Sequence, residues 1–157
     1  MGLSQHGSPL IPAALSGAAG AARMLREACA ASDGLRLRTT GELAADILRE
    51  LRALEENAPP PSPHLLAEAA GSCADLATLA ACALPHIGEE HLSQVAAAVH
   101  LASGSAKALG ALGCSSPEDY VLRDARSAAW RAELAAGQAE EALQQAVSSR
   151  KTAPGSA

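Results

Sequence analysis

The chain has 157 residues, 48% of them hydrophobic, which is the length of one domain with enough apolar material for a proper core. It contains no Phe, one Trp (Trp130) and one Tyr (Tyr120), so Ala, Leu and Val must fill that core, and a sheet, which favours β-branched and aromatic residues, is excluded as the main element. The formal charge of −5 argues against a nucleic-acid partner, whose affinity rests on neutralising phosphates. Alanine has the best intrinsic helix propensity, and small side chains let helix axes approach closely. The expectation is an all-α fold: a mainly antiparallel bundle of about five helices with short loops, spanning 12–147, between a loose arm at 1–11 and a frayed tail at 148–157.

Pro12 suits the first turn of a helix, where its missing N–H costs nothing. From there Leu15, Ala18, Ala19, Ala22, Leu25 and Cys29 recur at helical spacing and define one apolar face. Ser32-Asp33-Gly34 predicts the end, with Gly34 in a left-handed cap. Leu35-Arg36-Leu37-Arg38 is too short to place and is taken as a connector. Thr39 with Glu42 matches a capping box, so the second helix is predicted from there to about Glu56. Leu43, Ile47, Leu51 and Leu54 are predicted to face inward, with Asp46, Arg49, Glu50 and Glu55 on the wet side. This helix is also expected to pack across the end of the bundle.

Pro59-Pro60-Pro61-Ser62-Pro63 is a stiff connector, with Ser62 as cap and Pro63 as first residue of the third helix. That helix carries the stretch Leu65 to Leu84, LLAEAAGSCADLATLAACAL, apolar on nearly every side, with Glu68 and Asp75 its only charges. A helix of that kind belongs in the middle of a structure. Its length would also suffice to cross a bilayer, but each acid costs roughly 2.5 to 3.5 kcal/mol of insertion free energy and alanine returns very little. A core helix, with Cys73 and Leu76 enclosed, is therefore predicted, and no membrane partner.

Pro85 disfavours helical geometry at Leu84 and stops the third helix. Gly88, Glu89 and Glu90 start a fourth, whose inner stripe is Leu92, Val95, Ala96, Val99, Ala102, Ala106 and Leu109, with Gly110 and Gly113 marking its end. Ser116-Pro117-Glu118-Asp119 opens the longest helix, predicted to run to about Val147. Its inner stripe is Val121, Ala125, Ala128, Ala132, Ala135, Ala139, Ala142 and Ala146. No basic start precedes a long apolar run, so a cytoplasmic location is expected, and Cys29, Cys73, Cys82 and Cys114 read as small buried hydrophobes.

Chemistry-bearing residues are few. His86, Glu90 and His100 could share a face with Cys82 nearby, and His91 adds a further histidine; yet no Glu has a His three residues on, as a di-iron bundle requires. No cofactor is called for. Leu92 to Leu109 resembles a helix-turn-helix, with His100 where that motif has a turn glycine and Lys107 as the one base-reading cation; one continuous helix explains the same residues. Asp124, beside Arg123 and Arg126, could be a buried carboxylate with perturbed proton affinity. Trp130, at the flank of the inner stripe, is either an anchor for a partner or a filler at the core edge. There is no Gly-rich phosphate loop, no GxSxG elbow and no paired Cys/His zinc spacing.

The stretch PHLLAEAAGSCADLATLAACALPHIGEEHLSQVAAAVHLASGSAKALGAL, together with DARSAAWRAELAAGQ, resembles Ala-rich helical-bundle proteins of high-GC actinobacteria that have no assigned activity. VLRDARSAA in the last helix is similar to the end of cyclodeaminase-type folate-enzyme bundles, whose Pro- and Gly-rich N-terminal motif this chain lacks. Neither likeness carries over a functional residue. Three functions stand open. The first is a non-enzymatic module that self-associates or docks a partner helix along an Ala-lined groove. The second is a small-molecule- or metal-binding bundle enzyme using a polar cavity that joins His100, Asp75 and Asp124. A helix-turn-helix-like DNA binder is the third. The candidate binding residues are His100, Asp75, Asp124 and Trp130.

Overall fold

A computed structural model describes residues 10–56, 63–113 and 118–152. Within them lie five α-helices: α1 (Leu10–Ala30), α2 (Leu35–Glu56), α3 (Pro63–Ala83), α4 (Glu89–Gly113) and α5 (Asp119–Thr152), with one 3₁₀ turn, Leu84–His86, between α3 and α4. The chain is all-α, as its composition predicts. α1 packs on α2 and α4, α2 also touches α3, and α3 pairs with α4; α5 lies on α3 and α4, away from α1 and α2. The helices alternate in direction. Met24 meets Gln94 while Gly17 meets Ser105, so α1 opposes α4; Glu89 meets Arg150 while Gly113 meets Ala125, so α4 opposes α5.

The core is built of methyl groups. α3 buries Leu66, Ala69, Ala70, Cys73, Ala74, Leu76, Ala77, Ala80 and Ala81, and both Cys73 and Leu76 are 0% exposed. It touches all four other helices, yet it keeps a narrow outer strip of Glu68, Asp75, Thr78 and Cys82. α4 is as deeply set, buried from Val95 to Gly113 on the sides facing α1, α3 and α5. Segments 63–86 and 89–113 are each long and apolar enough to cross a membrane, and 50% and 56% of their most apolar windows are buried inside the fold.

Two glycines set the closest approach. A Cβ on Gly110 would stand 3.1 Å from the Ala125 carbonyl oxygen, and one on Gly113 only 2.6 Å from the Ala125 Cβ. Real Cβ atoms do not come as near as at Gly113 and rarely as near as at Gly110, so these positions let α4 nest against α5. They were expected to mark the end of the helix, and α4 does end at Gly113, passing through Gly110 on the way. Polar groups that enter the interior find backbone partners. Ser103 Oγ donates to the Ala132 carbonyl across the α4–α5 seam at 3.0 Å, and Gln94 Nε2 donates to the Met24 carbonyl at 2.8 Å. Among the described residues no buried side-chain nitrogen or oxygen lacks a partner, as a packed interior requires.

Several boundaries differ from expectation. Leu10 and Ile11, assigned to an arm, form the start of α1, and Ile11 is buried. α2 begins at Leu35, so Leu35 to Arg38 is helix, not connector. The capping box does not form: with the helix begun earlier, Thr39 and Thr40 donate their hydroxyls back to the carbonyls of Leu35 and Arg36 at 3.0 and 2.9 Å. Gly34 does have a positive φ, +120°, but it sits at the start of α2, where its carbonyl accepts the Arg38 N–H. The face of α2 is turned as well. Leu37, Thr40, Ala44, Leu48 and Leu51 are buried, Ile47 and Leu54 are half-buried, and Leu43 is 47% exposed. Gly41, on the buried side, lies so near α1 that an added Cβ would be 3.2 Å from Cys29 Cβ. α5 extends past Val147 to Thr152; Arg150 and Lys151 complement the dipole at its end, and Arg150 Nε holds Glu89 Oε1 at 2.7 Å. The Ser62 cap, the proline run 59–61, the Ser116-Pro117 start and Cys114 lie outside the described residues.

Candidate functional site

The four candidate binding residues occupy separate places. His100 Nε2 sits 2.9 Å from Glu140 Oε1, an exposed pair linking α4 to α5. Asp75 Oδ1 meets Arg131 Nη1 at 2.5 Å, linking α3 to α5. Asp124 is not buried: its carboxylate is more than half exposed and lies 3.7 Å from Arg123 Nε. The first two pairs, with Lys107–Glu133 at 2.6 Å, tie α5 to α4 and α3 on its two flanks, whereas Arg123 and Asp124 are neighbours on α5 itself. Exposed pairs of this kind each contribute at most about 1 kcal/mol. They orient α5; they do not assemble a catalytic group.

Trp130 departs from expectation in the informative direction. It is not a filler at the core edge but 64% exposed, on the side of α5 away from α3 and α4. Leu134, one turn on, is 51% exposed. The outer stripe of α5 continues through Arg123, Ser127, Gly137 and Glu141, all exposed, and an added Cβ on Gly137 would meet nothing within 4 Å. The interval between these residues alternates between four and three, the spacing of a coiled-coil seam. Sequence reasoning followed the alanine stripe inward and passed over this second, outward seam. Its signal was present in Trp130, Leu134 and Gly137.

A groove of about 950 Å³ opens beside this stripe, where the end of α3 and the 3₁₀ turn face the last third of α5. Its apolar lining includes Ala81, Leu84, Ile87, Leu92, Ala142 and Ala146, beside polar Arg36, Glu89, Gln138, Glu141, Gln145 and Arg150. None of His100, Asp75 or Asp124 lines it. Three of its charged groups are engaged: Arg150 with Glu89, and Arg36 with His86 at 2.8 Å.

The expected histidine chemistry disperses in the same way. His86 turns to Arg36, His91 lies 3.8 Å from Glu90, and His100 is held by Glu140. Among the described residues no group of three or more His, Cys, Asp and Glu side chains could hold a metal ion. Leu92 to Leu109 is one unbroken helix, without the turn at His100 that a helix-turn-helix requires. Of the described thiols, Cys29 and Cys73 are buried and burial raises both, Cys73 to about 12, whereas Cys82 is exposed at the groove. No family model, no curated protein and no solved structure matches this chain.

Proposed function

We propose that this chain is a non-enzymatic helical-bundle interaction module, which docks a helix, its own or a partner's, on the outer face of α5. The observation that carries this reading is the position of Trp130. In a chain whose core is filled by alanine and leucine, the largest apolar side chain stands 64% exposed beside a half-exposed Leu134. Covering a tryptophan would remove more apolar surface from water than any other single side chain here, and Trp is enriched among the residues that dominate interfaces. A separate groove nearer the end of α5, lined in part by Ala81, Leu84, Ala142 and Ala146, includes neither Trp130 nor Leu134. α3 and α4 are read as core helices of a cytoplasmic protein; the burial of 50% and 56% of their most apolar windows against neighbouring helices supports this reading.

The test compares the wild-type chain with Trp130→Ala/Leu134→Ala. Both sites are exposed, so circular dichroism and thermal unfolding should barely change. Self-association by sedimentation, or retention of a defined protein from the native host, should be lost in the variant. If the wild type neither self-associates nor retains anything that the variant fails to retain, the reading is wrong.

A further inference from the structure

The outer seam of α5 is complementary to itself, and we infer that its occupant is a second copy of this chain, laid antiparallel along α5 about a twofold axis level with Ala132. This rests on the interaction-module reading and names the partner. In an antiparallel pair of helices the two seam positions of each layer come from opposite copies. An axis level with Ala132 sets Trp130 of one copy on Leu134 of the other, twice. The next layer outward joins Ser127 to Gly137, small against small. The layer beyond joins Arg123 to Glu141, opposite in charge. The stripe is thus apolar at its centre, small at its shoulders, basic at one end and acidic at the other. Reversing one copy is the operation that brings its charges into register, and a twofold contact of this kind closes on itself and stops at a dimer.

A parallel arrangement would instead place Arg123 beside Arg123 and Glu141 beside Glu141. Gly137, like Gly20, Gly71 and Gly104, has nothing of its own bundle within 4 Å of an added Cβ, and it leaves room for a second helix to pass close over α5. The paired segment from Arg123 to Glu141 is about 27 Å long at 1.5 Å per residue. With two large apolar side chains from each copy, it suits a reversible dimer rather than an obligate one.

Sedimentation equilibrium of the full chain, from micromolar to submillimolar concentration at low salt, tests the pairing. The wild type should show a monomer–dimer equilibrium. Arg123→Glu and Glu141→Arg, each converting both ion pairs of the dimer to like charges, should each weaken it about tenfold (about 1.4 kcal/mol). The double variant R123E/E141R restores opposite charges across the axis and should return to within about threefold of wild type. Trp130→Ala should weaken the dimer by about a hundredfold, with unchanged circular dichroism showing that the bundle is intact. A double charge reversal that is as weak as the two single variants combined would overturn the antiparallel register. A wild-type chain that stays monomeric over the whole range would overturn the second copy as occupant. If such a monomer still retained a host protein through Trp130 and Leu134, the interaction module itself would survive; if it retained none, both readings would fall.

Discussion

The two faces of α5 are made of the same helix and do opposite things. Its inner face, Val121, Ala125, Ala128, Ala132, Ala135 and Ala139, is fully buried, and α4 approaches so closely that Gly113 has no room for a methyl group and Gly110 very little. Its outer face carries the largest apolar side chain of the chain in water. Along α5 size therefore runs against the usual pattern: small residues are inside and the bulkiest outside, while the leucines of the core, Leu15, Leu25, Leu51, Leu76 and Leu109, come from the other four helices. On the inner face of α5 stability comes from closeness of backbones. α3 repeats the contrast with its two thiols, Cys73 enclosed and Cys82 exposed.

The largest expected effect lies on the enclosed side. The buried Cys73 thiol is raised from 9.0 to about 12, so the folded chain keeps a proton that the unfolded chain gives up. Its contribution is full below pH 9 and is lost as pH climbs from 9 toward 12, the loss being on the order of 4 kcal/mol at the top of that window. Urea titrations of wild type and Cys73→Ala at stepped pH would isolate it as a difference in slope. Equal slopes would mean that the thiol is not enclosed. In the native state a thiol reagent should modify Cys82 rapidly and Cys73 only on unfolding.

Leu76→Ala, also at 0% exposure, should cost about 3 kcal/mol in urea unfolding, because a close-packed alanine core has few long side chains able to fill the void. Gly113→Ala should cost about 2 kcal/mol by forcing α4 from Ala125, a reversal of the usual gain from replacing a helical glycine. Differential scanning calorimetry would show a lowered Tm, and an unchanged or raised Tm would deny the close approach. Ser103→Ala removes the 3.0 Å hydroxyl bond to the Ala132 carbonyl and should cost about 1 kcal/mol. The smallest effect belongs to the outer face. Trp130→Ala should leave the unfolding free energy of the monomer within about 0.5 kcal/mol of wild type, as surface substitutions do. A loss of several kcal/mol there would mean that the two faces are not distinct after all.

Much of this architecture was legible in the residues alone. Helix class, the number of helices, the inner stripes of α1, α4 and α5 and the enclosure of Cys73 and Leu76 follow from alanine content and from apolar spacing of three and four, which are local properties of a helix. Which side of α2 turns inward was only partly legible. Leu51 is buried and Ile47 and Leu54 pack on the core as predicted, but Leu43 and Leu48 are equally apolar and only packing against the neighbouring helices buries Leu48 and leaves Leu43 exposed. Gly110 and Gly113 look like stop signals to any local rule, since only a neighbouring helix can show that their missing methyl group is needed. For the candidate site the division is sharper still. His100, Asp75 and Asp124 are unremarkable charges until Glu140, Arg131 and Arg123 are set beside them, and Trp130 could have been inside or outside. Burial is a relation between a side chain and residues distant in the chain, so tertiary packing alone could leave the tryptophan in water.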